Sequence, residues 1–370
     1  MTPGEAPPPT TLDEVPTPAL IVDAGALDRN IARMARFFAE GACRLRPHVK
    51  AHKTPAIARR QLAAGSCTGL TCATVLEAEA VAAFCDDILI ANELVTADKC
   101  GRAAALAASR RVTVAVDSAE GLDALSAAAR GAGTTIGVLV DVNVGQMRCG
   151  VLPGEAALAL ATRAARTPGI ELRGVMGYEG HVQPVRDRAE REAQARRAMH
   201  GLLDPAAQLR GAGLPCEIVS AGGTGTYDIT GNDARVTEIQ AGSYVFMDNF
   251  HGNLVPGFLP ALTVLGTVII QHGNTIVLDA GRKSVGIDFV LPTMIDYPFY
   301  QARYFAEEHA LFDVDERCAL KLGDTTELIP GYAPTTVNLY DVYHVVEKGV
   351  VVEVWPIIPR GPGHVGLLAR

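Results

Sequence analysis

The sequence predicts a closed (β/α)8 barrel followed by a β-rich domain. Short apolar runs recur with alanine-rich stretches of helical length between most of them, and after about residue 240 the helical spacing gives way to β-like segments. Alternating strands and helices require a parallel sheet, and eight repeats fit a closed barrel better than the alternative, an open doubly wound sheet. The eight predicted strands are residues 19–22, 45–49, 69–73, 87–91, 112–116, 136–140, 172–176 and 217–220.

The domain boundaries follow from these changes of pattern. Residues 1–15 are rich in proline and threonine and predict a flexible N-terminal tail, residues 16–250 form the barrel, and residues 251–370 form the β domain. The first strand is also a candidate to pair into the β domain. The β domain is predicted from segments 263–271, 275–279, 337–346 and 350–356, with turn signals at His272-Gly273-Asn274 and Glu347-Lys348-Gly349.

Composition excludes several function classes. The chain has 370 residues, of which 48% are hydrophobic, and a net charge of −8 without an extended basic stripe, which argues against a nucleic-acid groove. No apolar run reaches the length of a membrane span, and the N-terminus lacks a signal-peptide pattern. We therefore expect a cytoplasmic protein without nucleic-acid or membrane partners. The eight cysteines show no metal-binding spacing and are expected to be reduced.

Polar residues follow the carboxyl ends of the predicted strands, where barrel enzymes build their sites. They are His48 and Lys50 after the second strand, Thr74 after the third, Asn92 and Glu93 after the fourth, Asp117 after the fifth, Asp141, Asn143, Gln146 and Arg148 after the sixth, and Tyr178, Glu179 and His181 after the seventh. This repetition predicts a catalytic barrel mouth.

The segment 46–53 (Arg-Pro-His-Val-Lys-Ala-His-Lys) carries two histidines and two lysines at the end of a predicted strand. A partly desolvated Lys50 close to His48, His52 and Lys53 would have its ammonium form disfavoured. A neutral amine attacks an aldehyde to form a Schiff base, so Lys50 is the candidate nucleophile. The alternative is a phosphate-binding or solvated basic loop.

A glycine-rich loop, Ser220-Ala221-Gly222-Gly223-Thr224-Gly225-Thr226, follows the eighth predicted strand. Its backbone amides can close on an anion, and loops in this position of a barrel commonly hold a phosphate. The spacing matches neither a dinucleotide fingerprint nor a P-loop, and the alternative is a simple tight turn. A Schiff-base lysine and a phosphate loop together suggest pyridoxal 5′-phosphate.

A resemblance to a known family rests on motifs spread over nearly the whole chain. They are Pro16-Thr17-Pro18-Ala19-Leu20, the segment 46–53, Gln146-Met147-Arg148-Cys149-Gly150, Gly177-Tyr178-Glu179-Gly180, the segments 222–227 and 238–248, and Val354-Trp355-Pro356. The chain resembles fold-type III pyridoxal-phosphate enzymes, which have the alanine racemase-like plan, and among them the D-threonine aldolase, 3-hydroxy-D-aspartate aldolase and D-serine dehydratase group. The resemblance implies that Lys50 carries the cofactor, that His48, Arg148 and Tyr178 belong to its binding site, and that Gly222, Gly223 and Thr224 hold its phosphate.

One segment departs from this group. Its metal-dependent members have Pro-Gly-His-x-Asp or Pro-Asn-His-x-Cys where this chain has Pro330-Gly331-Tyr332-Ala333-Pro334. A His-x-Asp pair on a strand points both side chains to one face, whereas tyrosine and proline form no such chelate. We therefore expect the metal site to be absent.

The resulting hypothesis is a pyridoxal-phosphate lyase that cleaves a β-hydroxy D-amino acid by a retro-aldol reaction. Without a metal, Tyr332, His181 or Asp341 would have to act on the β-hydroxyl proton. The alternative in the same fold is a racemase or epimerase, with Lys50 on one face of the substrate and Tyr332 or His251 on the other. A third possibility is a non-catalytic pyridoxal-phosphate-binding protein. We expect a homodimer, because a barrel mouth alone is too open to exclude water.

Overall fold

The computed structural model describes residues 10–361, which divide into two compact units. The barrel unit is Ala32–Gly242, and the sheet unit is Ser243–Gly361 together with the described residues up to Ile31. The strands are β1 (Ala19–Asp23), β2 (Arg44–Leu45), β3 (Leu70–Cys72), β4 (Asp87–Glu93), β5 (Arg111–Val116), β6 (Ile136–Asp141), β7 (Ile170–Met176), β8 (Ile218–Ala221), β9 (Glu238–Ile239), β10 (Leu262–His272), β11 (Thr275–Leu278), β12 (Thr293–Met294), β13 (Ala302–Phe305), β14 (Ala310–Asp313), β15 (Thr325–Ile329), β16 (Val342–Glu347) and β17 (Val350–Pro356).

Helices follow most of the barrel strands. They are α1 (Ala24–Phe37), α2 (Pro55–Ala63), α3 (Val75–Val81), α4 (Ala97–Ala107), α5 (Ala119–Ala132), α6 (Glu155–Ala164), α7 (Arg188–Gly211), α8 (Tyr227–Thr230), α9 (Asn249–Gly252) and α10 (Ala333–Val337). The Thr54-Pro55 pair predicts a helix start, and α2 does begin at Pro55 with Thr54 as its N-cap residue. Within the described residues, no helix combines the length and the hydropathy needed to cross a membrane.

The barrel unit confirms the predicted fold class. Its strands are all parallel in the order β2-β9-β8-β7-β6-β5-β4-β3. Single parallel bridges join Leu45 to Cys67 and His48 to Thr71, so that the segment of β2 also meets the segment of β3 and the sheet closes on itself. Closure places the carboxyl ends of all eight strands around one mouth.

The predicted membership of the barrel was wrong in one strand. The run 19–22 forms β1 of the sheet unit, and the eighth barrel strand is the two-residue β9. Four of the five residues of β1 are buried, so the run suits the interior of either sheet and periodicity cannot assign it. Strand β9 was missed because it consists of Glu238 and Ile239 alone, which is too short an apolar run to be recognised. The second predicted strand is also shorter than expected, because β2 ends at Leu45.

The sheet unit contains nine strands, seven of them in the order β13-β14-β11-β10-β1-β16-β17, with β15 pairing β10 and β12. Strand β1 lies antiparallel to β10 and parallel to β16, as the pairing of the first strand into this domain predicted. Both predicted turns join adjacent antiparallel strands. Gly273 has φ +52°, and Lys348 and Gly349 have φ +52° and +78°, which are values that tight hairpin turns require.

Two further expectations for this unit were wrong. Residues 10–15 do not form a free tail: Leu12–Glu14 is a short 3-10 helix, and Thr11 pairs with Val350 at the end of β17. The predicted β segment 337–346 begins later than expected, at Val342, because the helix α10 extends to Val337 and Pro334 in its first turn favours a helix start. Residues 1–9 of the predicted tail lie outside the described part of the chain.

Candidate active site at the barrel mouth

Lys50 lies in a one-turn 3-10 helix, Val49–Ala51, between β2 and α2. His48 caps this turn, since its Nδ1 accepts a hydrogen bond of 3.4 Å from the Lys50 backbone N–H. Burial, and then the positive charges of Lys50, His52 and Lys53, hold the pKa of His48 well below its ordinary value. Nδ1 can accept a hydrogen bond only when it carries no proton, and the lowered pKa keeps His48 neutral, as this cap requires.

The amine of Lys50 is destabilised as a cation. Desolvation, followed by the guanidinium of Arg148 and the ammonium of Lys53, lowers the pKa of Lys50 to about 8. A substantial fraction of the amine is therefore neutral near physiological pH. The direction of this shift agrees with the reason for choosing Lys50 from the sequence, and its role as the nucleophile stays a prediction.

Lys53 is the rival nucleophile in the same segment, and its environment is different. Its Nζ forms an ion pair of 2.6 Å with Glu77, whose side chain is completely buried. The other oxygen of Glu77 accepts the backbone N–H of Ala73 at 2.6 Å. The ion pair engages Lys53 Nζ with a buried carboxylate, so Lys50 stays the preferred candidate nucleophile.

Tyr178, which follows β7, is the point where the predicted site residues meet. Its ring centre is 5.7 Å from Lys50 Nζ and 5.7 Å from Arg148 Cζ. A Cβ atom on Gly223 would lie 3.1 Å from the same ring, which brings the glycine loop to its edge. A cavity beside Tyr178 is lined by Asp141, Val142, Asn143, Val144, Gln146, Arg148 and Cys149. Lys50, Arg148, Tyr178 and Gly223 are thus brought together.

The glycine loop has a shape that side chains would not permit. Gly222 has φ +75°, and a Cβ atom there would lie 2.7 Å from Ile239 Cδ1. Its amide donates to Glu179 Oε2 at 3.2 Å, and the amide of Gly223 donates to Thr226 Oγ1 at 3.2 Å. Both glycine amides therefore have partners within the barrel, and the glycines contribute close approach of the backbone. Thr224, the third predicted phosphate residue, is buried in the same loop.

Glu179, Gln183, Thr226 and Thr230 form a buried network beneath this loop, which we call the Glu179 network. Glu179 Oε1 accepts the hydroxyls of Thr226 at 2.7 Å and Thr230 at 2.8 Å. Gln183 Nε2 donates to Thr226 Oγ1 at 3.2 Å, and Gln183 Oε1 accepts the amide of Gly225 at 2.8 Å. Glu179 and Thr226 have no solvent exposure, so the network is part of the barrel interior.

Asp141, which lines the cavity beside Tyr178, forms a carboxyl pair with Glu93. Desolvation, followed by hydrogen bonding to Glu93 and the charge of Glu93, raises the pKa of Asp141 to about 7. The ligand atoms of Glu93, Asp141 and Cys149 lie within 4.8 Å of one another, and over residues 10–361 this is the trio with spacing suited to a metal ion. Burial raises the pKa of the Cys149 thiol to about 11, which disfavours the thiolate that a metal would require. The expected absence of a metal remains a prediction.

His181 lies in the 3-10 helix Gly180–Val182, which follows Tyr178 and Glu179, and its side chain is exposed. Its ring would be 3.0 Å from a Cβ atom on Gly145. Asp341, another candidate base, pairs with Arg360 on the surface of the sheet unit. His181 therefore stays a candidate, whereas the Asp341 carboxylate is already engaged by a guanidinium.

Tyr332 belongs to the sheet unit and is the N-cap residue of α10, so the strand-face argument made from the sequence does not apply to it. Its ring stacks on His251, with centroids 5.9 Å apart, and meets the edge of Phe289 at 5.1 Å. Asp248 accepts from the backbone N–H of Ala333 at 2.7 Å and from His251 Nδ1 at 2.8 Å. Burial, then the charges of Asp248 and Asp288, raise the pKa of Tyr332 to about 12. The phenol therefore keeps its proton at neutral pH.

Sequence reasoning placed Glu179 at a strand end without giving it a role, and it missed Gln183 and Thr226 as its partners. The signal was weak, because a glutamate next to Tyr178 looks the same whether it faces solvent or the interior. Only the fold shows that this carboxylate is buried and bonded to a loop 43 residues further along the chain.

Comparison with known proteins agrees with this architecture. Residues 22–250 match the N-terminal domain of alanine racemase, and residues 261–346 match a putative serine dehydratase domain. The chain is 38% identical to D-threonine aldolase of Arthrobacter sp., over 97% of this chain and 96% of that protein. It is 34% identical to 3-hydroxy-D-aspartate aldolase of Paracoccus denitrificans (strain Pd 1222), over 95% of this chain and 94% of that protein. The crystal structure of D-threonine aldolase from Filomicrobium marinum superposes with a TM-score of 0.92 at 37% identity, covering 96% of this chain and 99% of that one. The chain therefore belongs to the alanine racemase-like family, in the group that contains D-threonine aldolase and 3-hydroxy-D-aspartate aldolase.

Proposed function

We propose that this protein is a pyridoxal-phosphate-dependent lyase that cleaves a β-hydroxy D-amino acid between its α and β carbons. The observation that carries the proposal is the meeting of Lys50, Arg148 and the glycine loop around Tyr178. The full-length similarity to two aldolases of β-hydroxy D-amino acids supports the choice of reaction.

The residues present fit pyridoxal phosphate. Lys50 offers an amine whose pKa of about 8 suits attack on an aldehyde, and Arg148 offers a cation beside the same ring. Gly222 and Gly223 let the backbone approach a phosphate closely, and Thr224 supplies a hydroxyl donor in the same loop. These residues would hold the group, with His48 fixing the turn that presents Lys50.

When bound, the cofactor supplies an electron sink that weakens the bonds at the substrate's Cα. The chain must then choose the bond and move the β-hydroxyl proton. Lys50 is a candidate base, because it lies beside Tyr178 in the assembled site and its amine is neutral in part at physiological pH. Tyr332 and His181 stay as our candidates for the second group. At pH 7 the Tyr332 O–H is a proton donor, since its pKa is raised to about 12, so it would return a proton to the substrate Cα and would not accept the β-hydroxyl proton.

We propose further that the reaction proceeds without a divalent metal. Tyr332 and Pro334 stand where the metal-dependent members of the group carry a histidine and an acidic or thiol ligand, and neither side chain chelates a cation at neutral pH. The Glu93, Asp141 and Cys149 trio is the competing location, which a chelator experiment addresses.

The decisive experiment is to incubate the purified holoenzyme with D-threonine, D-serine, 3-hydroxy-D-aspartate and D-alanine, with and without chelator, and to identify the products. Glycine plus an aldehyde from a β-hydroxy substrate supports the lyase. Inversion at Cα without loss of carbon supports a racemase instead, and a bound cofactor without turnover of any of these substrates supports a non-catalytic binding protein.

We also propose that the protein is a homodimer. Lys50 remains partly exposed in the single chain, and Met147 at the mouth is 75% exposed, whereas carbanion chemistry requires exclusion of water. Light scattering coupled to size-exclusion chromatography tests this proposal, and a monomer mass at working concentration would contradict it.

A further inference from the structure

The carboxylate of Glu179 is placed where it controls other hydrogen bonds. Its two oxygens accept from the Thr226 and Thr230 hydroxyls and from the amide of Gly222. A carboxylate has no proton to donate, so each of these three partners must be the donor. The direction of every bond around Glu179 is therefore fixed.

The fixed direction of these bonds also determines the hydrogen bonds that Thr226 makes with the rest of the loop. The Thr226 hydroxyl gives its single proton to Glu179, which leaves both of its lone pairs to accept from the Gly223 amide and from Gln183 Nε2. Because Gln183 turns its Nε2 toward Thr226, its Oε1 is turned toward the amide of Gly225. One carboxylate thus orients two hydroxyls, a side-chain amide and three backbone amides.

A glutamine in place of Glu179 would not reproduce this order. If its oxygen faced Gly222, its NH2 group would face Thr226, whose hydroxyl already accepts two N–H groups and cannot accept a third. If its oxygen faced Thr226, its NH2 group would oppose the amide of Gly222. Either orientation leaves a buried N–H or O–H unpaired, which is costly.

The choice of a charged residue is informative, because a buried carboxylate carries a large desolvation penalty. Glu179 has no solvent exposure, and within residues 10–361 three hydrogen bonds to its two oxygens compensate its charge. A neutral residue would avoid this desolvation penalty. Only an acceptor without protons sets the bond directions described above.

We propose that Glu179 is a positioning residue that fixes the glycine loop in the one shape able to receive a phosphate group. The Glu179 network binds the amides of Gly222 and Gly223, and the Tyr178 ring would lie 3.1 Å from a Cβ atom on Gly223. This inference rests on the proposed function, since it assumes that the loop receives the phosphate of pyridoxal phosphate. It adds that phosphate recognition depends on a group that does not touch the ligand.

The test compares pyridoxal 5′-phosphate with pyridoxal, which lacks the phosphate. Dissociation constants of both for the full-length apoenzyme are measured by equilibrium dialysis for the wild type and Glu179→Gln. We expect Glu179→Gln to weaken binding of pyridoxal phosphate about tenfold or more, which is the loss of about one charged hydrogen bond, and to leave pyridoxal binding unchanged. The affinity ratio of the two ligands therefore falls in the variant.

A matched control is Glu238→Gln, which removes another buried barrel carboxylate, paired with Arg46 at 2.8 Å. It should lower thermal stability without changing the affinity ratio. If Glu179→Gln does not fold, Thr226→Val cuts the link between Glu179 and Gly223, and Thr226→Ser restores the hydroxyl. We expect Thr226→Val to lower the ratio and Thr226→Ser to recover it.

Two outcomes have different meanings. A folded Glu179→Gln or Thr226→Val protein with the wild-type affinity ratio overturns the positioning role. If the wild-type protein binds pyridoxal phosphate no better than pyridoxal, the glycine loop is not a phosphate-binding loop, and this part of the proposed function is overturned.

Discussion

Lys53 Nζ forms an ion pair with Glu77 at 2.6 Å, whereas the pKa of Lys50, three residues earlier, is lowered to about 8. The two lysines share one short segment but differ in chemistry. A buried carboxylate is bonded to the Lys53 amine, while desolvation and the Arg148 guanidinium destabilise the charge of Lys50.

Lys50→Ala should abolish both turnover and the absorbance of the lysine-bound cofactor. Lys53→Arg is the matched control, because arginine keeps the ion pair with Glu77, and it should retain the absorbance. Borohydride reduction followed by peptide mapping locates the modified lysine. A pyridoxyl group found on Lys53 would overturn the assignment.

The reactivity of Lys50 should rise with pH and reach half of its maximum near pH 8, since only the neutral amine reacts and its pKa is lowered from 10.5 to about 8. The measurement is the site-resolved rate of acylation by acetic anhydride in the apoenzyme. Arg148→Gln removes a nearby positive charge, so the midpoint should move to higher pH. A wild-type midpoint near 10.5 contradicts the desolvated environment.

Gly223→Val should weaken cofactor binding far more than it affects folding. Its Cβ would lie 3.1 Å from the Tyr178 ring and 3.2 Å from Gln183 Nε2, which pushes the loop away from a phosphate. Loss of one charge-assisted contact is about 1.5–3 kcal/mol, or roughly 10- to 100-fold in the dissociation constant. Gly131→Val is the control, because apart from its chain neighbours and the backbone of its own helix no atom lies within 4 Å of a Cβ there. Unchanged cofactor affinity in a folded Gly223→Val protein would show that the loop is only a turn.

Exhaustive chelation should leave activity on the true substrate nearly intact, because Tyr332 and Pro334 offer no chelating pair. Tyr332→Phe should reduce kcat by about 10²–10⁴-fold if the phenol transfers the proton. Activity lost to chelator and restored by Mn²⁺ would overturn the metal-free proposal. Glu93→Gln, which alters the trio at the barrel mouth, would then test whether the metal binds there.

Much of this molecule could be predicted locally. Lys50 was identified because its strand-end position and its basic neighbours are adjacent in sequence, and the two hairpin turns were identified from their glycines. Residues whose role depends on distant partners could not be identified in this way. The run 19–22 was counted as a barrel strand and was only a candidate to pair into the β domain, because no local pattern identifies β10 and β16 as its neighbours. Glu179 acquires its role only from Thr226 and Gly222.

The strand β1 has a consequence for the order in which the protein folds during synthesis. The described part of the barrel unit is Ala32–Gly242, so all eight of its strands have been synthesised before the second part of the sheet unit begins at Ser243. Strand β1 emerges from the ribosome first, yet its neighbours β10 and β16 emerge only after the whole barrel. The apolar residues Ala19–Val22 therefore have no strand to pair with until β10 has been synthesised. A substitution in β1 should consequently appear as aggregation during expression, with late contacts of high sequence separation as its cause.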